Sequence, residues 1–188
     1  MKTLRSQQIG VLALQETHLT TELADQIDNL YSCRISLFNS PALENPSSSA
    51  GVAFVINKEK LNAKETTLTT LIPGRAVFLS VKRQRGDSLH LINIYALNAP
   101  HQHPTFWSDI TTKWQENNLP CPHLVMGDFN LVEDPLDRSP VRPDNEPAIT
   151  ALCTCRQTLG IQDTWRKMFP TEHSFTFSSS QNTLSRLD

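Results

Sequence analysis

The sequence predicts an α/β fold, and three observations predict it. Apolar runs of strand length recur and end in polar residues, at 9–14, 51–57, 76–81, 88–95 and 124–127. Helically spaced segments at 21–31, 104–118 and 148–159 alternate with them. A hairpin signal, Arg83-Gln84-Arg85-Gly86-Asp87, separates two strand-like runs. Alternation with hairpins means a mixed sheet rather than an all-parallel one. Polar residues collect at the strand ends, where binding and catalysis are commonly built.

In chain order, residues 1–8 read as the polar tail of a helix, and Ile9-Gly10-Val11-Leu12-Ala13-Leu14 as a buried strand ending in Gln15-Glu16. Thr20 or Thr21 caps a helix carrying Leu23, Ile27 and Leu30. A short strand at 35–38 leads to a flexible loop at 41–50. Strands follow at 51–57, weakly at 64–72, at 76–81 and at 88–95, the last alternating well as SLHLINIY. The helix at 104–118 places Phe106, Trp107, Ile110 and Trp114 as core. Residues 131–147 form a long charged, proline-rich loop, of the kind that is usually functional or mobile. The helix at 148–159 is closed by Gly160, Asp163-Thr164-Trp165-Arg166 precedes a turn, and 174–177 is a strand.

The 188 residues suit one domain able to bury a core without staples. A net charge of −2 and a pI near 6.3 give no global basic field for nucleic acid, though they leave room for a local basic cleft. The four cysteines lack zinc-type CxxC pairing and read as reduced thiols, so no disulfide-linked partner is expected. No run has the length of a membrane span, and the N-terminus is too soon polar for a signal peptide, which together point to an intracellular protein. His101 and His103 lie in a proline-flanked stretch without further zinc ligands and read as a solvated loop.

The chain is organised around His123-Leu124-Val125-Met126-Gly127-Asp128-Phe129-Asn130. Asp128 and Asn130, two apart, point to the same side of an extended segment. Taken alone the run also reads as an ordinary turn. Glu16, Tyr95, Asn98, Asp128, Asn130, Thr176 and Asp188 all stand at or after the ends of apolar runs. Carboxylates, amides and a phenol, with no nucleophile–histidine pair, suit a hard cation such as Mg²⁺. Such an ion can neutralise a phosphodiester and aim a water at it. Metal-assisted phosphoester hydrolysis is the reading from the residues.

LQETH (14–18), NIYALN (93–98), GDFN (127–130) and SRLD (185–188) occur in an order that resembles the endonuclease/exonuclease/phosphatase superfamily. Asp134-Pro135-Leu136-Asp137-Arg138-Ser139 and Asp163-Thr164-Trp165-Arg166 resemble the endonuclease domains of non-LTR (LINE-type) retrotransposons, most like fungal elements. The resemblance implies a four-layer sandwich of two mixed β-sheets flanked by helices, and a Mg²⁺-dependent (or Mn²⁺-dependent) nick of one DNA strand that leaves a 3′-hydroxyl. It implies Glu16 as metal ligand, Tyr95 and Asn98 at the scissile phosphate, and Asp128 acting on the water with Asn130 fixing it. Thr176, Arg138 and Arg186 would face DNA, and Asp188 would fix the tautomer of a histidine. Among Arg75, Lys82, Arg83, Arg85, Arg138, Arg142 and Arg186, the motif neighbourhoods favour Arg138 and Arg186 as phosphate contacts.

Against the family pattern, the first strand and the terminal Ser-Asp-His motif are not found in residues 1–188. The expectation is therefore a single domain truncated at both ends and incomplete in its sheets. Loss of one positioned acid–base group costs roughly 10²–10⁴ in rate, so weak or absent activity is expected of this fragment. The alternatives are an inactive nucleic-acid-binding remnant, or a phosphoinositide or sphingolipid phosphoesterase on the same fold. A retroelement enzyme would act on DNA in the nucleus.

Overall fold

The computed structural model describes residues 7–83, 86–180 and 182–187. Arg85, Asp188 and most of the expected N-terminal helix tail lie outside them. The chain is a mixed α/β protein with several sheets flanked by helices, as the sequence predicts. It divides into two compact units, one of Met1–Tyr95 with Pro122–Gly127, the other of Ala96–Cys121 with Asp128–Asp188.

The first unit holds two sheets. One has the order β1 (Val11–Gln15), β3 (Val52–Asn57), β2 (Ile35–Ser40), antiparallel throughout. The other runs β4 (Thr66–Ile72), β5 (Ala76–Lys82), β6 (Ser88–Tyr95), β7 (Leu124–Asp128). Its first three strands are antiparallel. Strand β7 lies parallel to β6, because the His123 N–H meets the His90 carbonyl at one end and Gly127 meets the Ile94 carbonyl further on. The second sheet is thus mixed.

Period-two alternation turns Phe54 and Ile56 of β3 and Val77, Leu79, Val81 and Leu91 of β5 and β6 into one core. Strand β3 is buried on both faces, which is why VAFVI is continuously apolar. Truncating Phe54 in such a site costs about 3–5 kcal/mol. Helix α1 (Thr21–Leu30) covers β2. The Leu23 N–H donates to the Thr20 hydroxyl at 3.2 Å as its cap, and Asp28 accepts from the Leu37 N–H at 2.7 Å.

The second unit pairs helix α2 (His103–Glu116) with α3 (Glu146–Leu159). Phe106, Trp107 and Ile110 of α2 are buried, as are Ala148, Leu152, Cys155 and Leu159 of α3, each set at helical spacing. Asn145 caps α3 and Gly160, at φ 71°, ends it in the left-handed conformation. Helix α4 (Thr164–Met168) stands where the sequence shows only a turn approach. A small sheet of order β8 (Arg138–Ser139), β10 (Leu184–Ser185), β9 (Phe177–Ser178) completes the unit. The strand expected at 174–177 is reduced to the two residues of β9.

His103 departs from the solvated-loop expectation. It is fully buried at the start of α2, with Nε2 on the Leu97 carbonyl at 2.7 Å and Nδ1 accepting from the Trp107 indole at 3.2 Å. The pair of acceptors and donors fixes a neutral ring, and burial pushes its pKa down against the opposing pull of the Leu97 carbonyl and Asp144. Among the described residues no helix is long and apolar enough to cross a membrane.

Candidate active-site residues

In the first unit β1 and β6 deliver Glu16 and Tyr95. The Tyr95 hydroxyl donates to the Glu16 carboxylate. Glu16 is exposed, and its backbone is left-handed at φ 50°. Such a φ is uncommon in a residue with a side chain. Two bonds hold the bend, from the Thr17 N–H to the Gly51 carbonyl and from the His18 N–H to the Ala50 carbonyl, both 3.1 Å. Gly51, at φ 94°, leaves no room for a Cβ against the Thr17 hydroxyl and is the residue this packing permits.

The strand ends are locked by an amide the sequence reading left without a role. Asn93 is fully buried, donates to the Leu14 carbonyl at 2.9 Å and the Ala53 carbonyl at 3.0 Å, and accepts from the Gln15 amide at 2.5 Å. It ties the strand carrying Tyr95 to the strand carrying Glu16. The signal was available: Asn93 stands in an inward position of SLHLINIY, between Leu91 and Tyr95.

At the end of β7, Gly127 has φ 132°, and a Cβ there would overlap the Ile94 carbonyl. Glycine alone lets the two backbones lie this close. The GDFN run leaves the extended conformation at Asn130, whose φ is 48°.

In the second unit the Asn130 N–H donates to Asp128 Oδ1 at 2.9 Å, an Asx turn. The turn and the site readings of GDFN are therefore compatible. The Asn130 side-chain amide donates to Asn98 Oδ1 at 2.9 Å and to the Ala96 carbonyl at 3.0 Å. Asp128, Asn130 and Asn98 thus form one hydrogen-bonded group, and Phe129 between them stacks on Trp107 with ring centroids 5.7 Å apart.

Arg138 and Arg186 are engaged by carboxylates of their own chain. Arg138 binds Asp144 in a fork, Nε to Oδ1 at 2.7 Å and Nη2 to Oδ2 at 2.6 Å, and reaches the Ser185 hydroxyl at 2.7 Å. Arg186 binds Asp137 through Nε at 3.0 Å and Nη2 at 2.7 Å, and also binds Asp163. Arg166 joins from the other side onto Asp137, which is 1% exposed. Trp165 lies beneath both guanidinium groups, 4.9 Å from that of Arg166 and 5.0 Å from that of Arg186. This network holds the DPLDRS and DTWR segments against each other. Burial pushes the Asp163 carboxyl up, but hydrogen bonds from the Arg166 N–H and Arg186, with the charges of both, leave it below its ordinary value. Arg186 is held above its own ordinary range, since the bonds and charges of Asp137 and Asp163 outweigh burial.

Thr176 is exposed; its hydroxyl accepts from the Leu187 N–H at 3.1 Å, and its N–H donates to the Ser185 carbonyl at 2.9 Å. Of the other cationic candidates, Lys82 pairs with Glu65 at 2.8 Å, Arg83 with Asp87, and Arg75 stacks over the Tyr95 ring. Among the described residues no three His, Cys, Asp or Glu side chains cluster at metal distance. The donor set nevertheless fits Mg²⁺, which is commonly held by one or two carboxylates and completes its shell with water and substrate phosphate. Glu16 supplies an exposed carboxylate of that kind.

The chain belongs to the endonuclease/exonuclease/phosphatase family, whose sequence profile matches residues 1–188. That family comprises hydrolases of phosphoester bonds that generally use divalent metal ions. Among solved structures, the endonuclease domain of TRAS1, a telomere-specific non-LTR retrotransposon, is similar at a TM-score of 0.63 and 13% identity, over 100% of this chain and 74% of that one. TDP2 of D. rerio, in complex with a single-strand DNA product, is similar at 0.56 and 14% identity, over 100% of this chain and 72% of that one. ANGEL2, a 2′,3′-cyclic phosphatase, is similar at 0.54 and 16% identity, over 72% of this chain and 44% of that one. At these identities the likeness is one of fold.

Proposed function

We propose that this chain is a metal-dependent phosphodiesterase that nicks one strand of DNA and leaves a 3′-hydroxyl, weakly as residues 1–188 alone. The observation that carries the reading is the Tyr95 hydroxyl on the Glu16 carboxylate. A strained, exposed acid held by a phenol at the ends of two strands does nothing for the core, and strain of this kind collects at functional positions. The similarity to a retrotransposon endonuclease and to a DNA-product complex supports DNA as the substrate class.

In this reading Glu16 holds Mg²⁺ or Mn²⁺, which when bound supplies charge neutralisation at the phosphate. Tyr95 contacts the scissile phosphate: its single hydroxyl proton lies on the Glu16 carboxylate here and would pass to a phosphate oxygen with substrate in place. Asp128 takes a proton from the attacking water, and the Asn130 N–H on Oδ1 fixes the direction of that carboxylate. Asn98 holds the Asn130 amide in place. The water oxygen bonds to phosphorus, the P–O3′ bond breaks, and a proton from solvent completes the 3′-hydroxyl. Thr176 faces the substrate. Arg138 and Arg186 act by holding the strands beside Thr176; phosphate contact by either requires giving up a carboxylate partner.

A plasmid-nicking assay with Mg²⁺ tests the reading. Relaxed circles that prime a polymerase, lost on addition of a chelator and in Glu16→Ala, are the expected result. Binding of DNA without turnover, or release of phosphate from a phosphoinositide but not from DNA, would overturn it.

A further inference from the structure

We propose that Arg75 is a positioning residue that clamps the Tyr95 ring and so aims its hydroxyl, an inference that rests on the role assigned to Tyr95. Strands β5 and β6 pair Ala76 with Ile94 and Val77 with Asn93, so the next pair outward is Arg75 with Tyr95. The Tyr95 N–H donates to the Arg75 carbonyl at 2.7 Å. Directly opposed residues share a face of the sheet and touch through their side chains. The Arg75 guanidinium accordingly lies over the Tyr95 ring, 4.6 Å from its centroid.

Arg75 is itself held by a turn. Its N–H donates to the Ile72 carbonyl at 3.0 Å, around Pro73 and Gly74. Proline at the second position and a glycine of φ 66° at the third is the type II pattern. Gly74 packs on Ala42, where a Cβ would come within 2.7 Å of the Ala42 Cα. The Gly74 carbonyl accepts from the Gly51 N–H at 3.0 Å, and the Gly51 carbonyl accepts from the Thr17 N–H at 3.1 Å. Gly51 therefore joins the Arg75 turn to the bend that carries Glu16. Both partners of the Tyr95–Glu16 bond are anchored to one short stretch of backbone, and Arg75 fixes the ring between them.

A planar guanidinium stacks flat on a ring, whereas an ammonium attracts it only as a point charge, so a lysine at 75 keeps the charge and weakens the clamp. The chain has two tyrosines, so Tyr31→Phe leaves Tyr95 as the sole tyrosine signal. With ring-labelled tyrosine, the Tyr95 carbon–proton resonances of the Tyr31→Phe protein are displaced from those of free tyrosine. In Arg75→Lys and in Arg75→Gln they move toward the free values, while the amide spectrum of β5 and β6 is retained. In steady-state nicking both variants lose about tenfold or more in kcat with KM little changed. Unmoved ring resonances in both variants would overturn the clamp. So would a raised KM rescued by lysine, the signature of a direct phosphate contact. If the parent does not turn over DNA the nuclease reading fails, and the ring resonances still decide the role of Arg75.

Discussion

The hydroxyl of Tyr95 and the carboxylate of Glu16 meet across the sandwich of the first unit from positions 79 residues apart. Hydrogen-bonding partners of metal ligands fix the ligand's orientation, and their loss costs about 10–100-fold in metal affinity or activity. Tyr95→Phe is expected to weaken Mn²⁺ binding by that factor, measured by calorimetry, with the fold unchanged by circular dichroism. Unaltered Mn²⁺ affinity would mean that the pair does not serve a metal.

Asn93 is the polar tie between β6, β1 and β3. Asn93→Leu removes the donors of the Leu14 and Ala53 carbonyls and leaves each buried. An unsatisfied buried polar group costs about 1–3 kcal/mol, so urea unfolding should show a loss in that range or above. A neutral outcome would show the two carbonyls satisfied through the strand ladder alone.

Asp137 receives Arg166 and Arg186 at 1% exposure. Removing one member of a buried ion network leaves an uncompensated charge and costs about 3–5 kcal/mol. Asp137→Asn should lower the thermal midpoint far more than Lys82→Gln, whose exposed pair with Glu65 is worth about 0–1 kcal/mol. Asp163 adds a pH signature. Its folded pKa is depressed, so its contribution is complete above the unfolded value of about 3.9 and is lost as pH falls through the lower folded value.

His90 gives a second pH window. Its N–H donates to His123 Nδ1 at 3.0 Å and the two rings stack with centroids 5.2 Å apart. Burial, and then the charge of His123, push its pKa down. The unfolded chain takes up this proton near pH 6.5, the folded chain only at lower pH. Stability should therefore fall as pH drops below about 6.5 toward the depressed folded value. Denaturant unfolding at about pH 7.5 and 5.5 should show a smaller loss for His90→Asn than for the parent; equal losses would remove His90 from the account.

Local pattern made much of this legible in the sequence. The alternation of SLHLINIY marks β6 to the residue, and Gly160 marks the end of α3. Four short motifs in order were enough for the family, because strand-end chemistry is written in contiguous residues. Charge and proline mark 131–147 as a long loop, but nothing local in it marks the ordered contacts it makes. Asp137 is buried there by Arg186, 49 positions away, and no local period encodes such a pair. His103 was missed for a related reason. A histidine beside prolines looks solvated until the Leu97 carbonyl and the Trp107 indole, brought to it by the fold, give both ring nitrogens a partner. The motif neighbourhoods mark Arg138 and Arg186 as phosphate contacts, whereas in the fold Asp144 of the same loop holds Arg138, and Asp137 and Asp163, 49 and 23 positions away, hold Arg186.

The left-handed backbone at Glu16 carries a consequence for engineering. A residue with a side chain costs about 1–2 kcal/mol in that conformation, and glycine escapes the penalty. Glu16→Gly should therefore leave the protein harder to melt while abolishing its chemistry. Any selection of variants for heat resistance alone would tend to erase this acid first, trading catalysis for durability at a single codon.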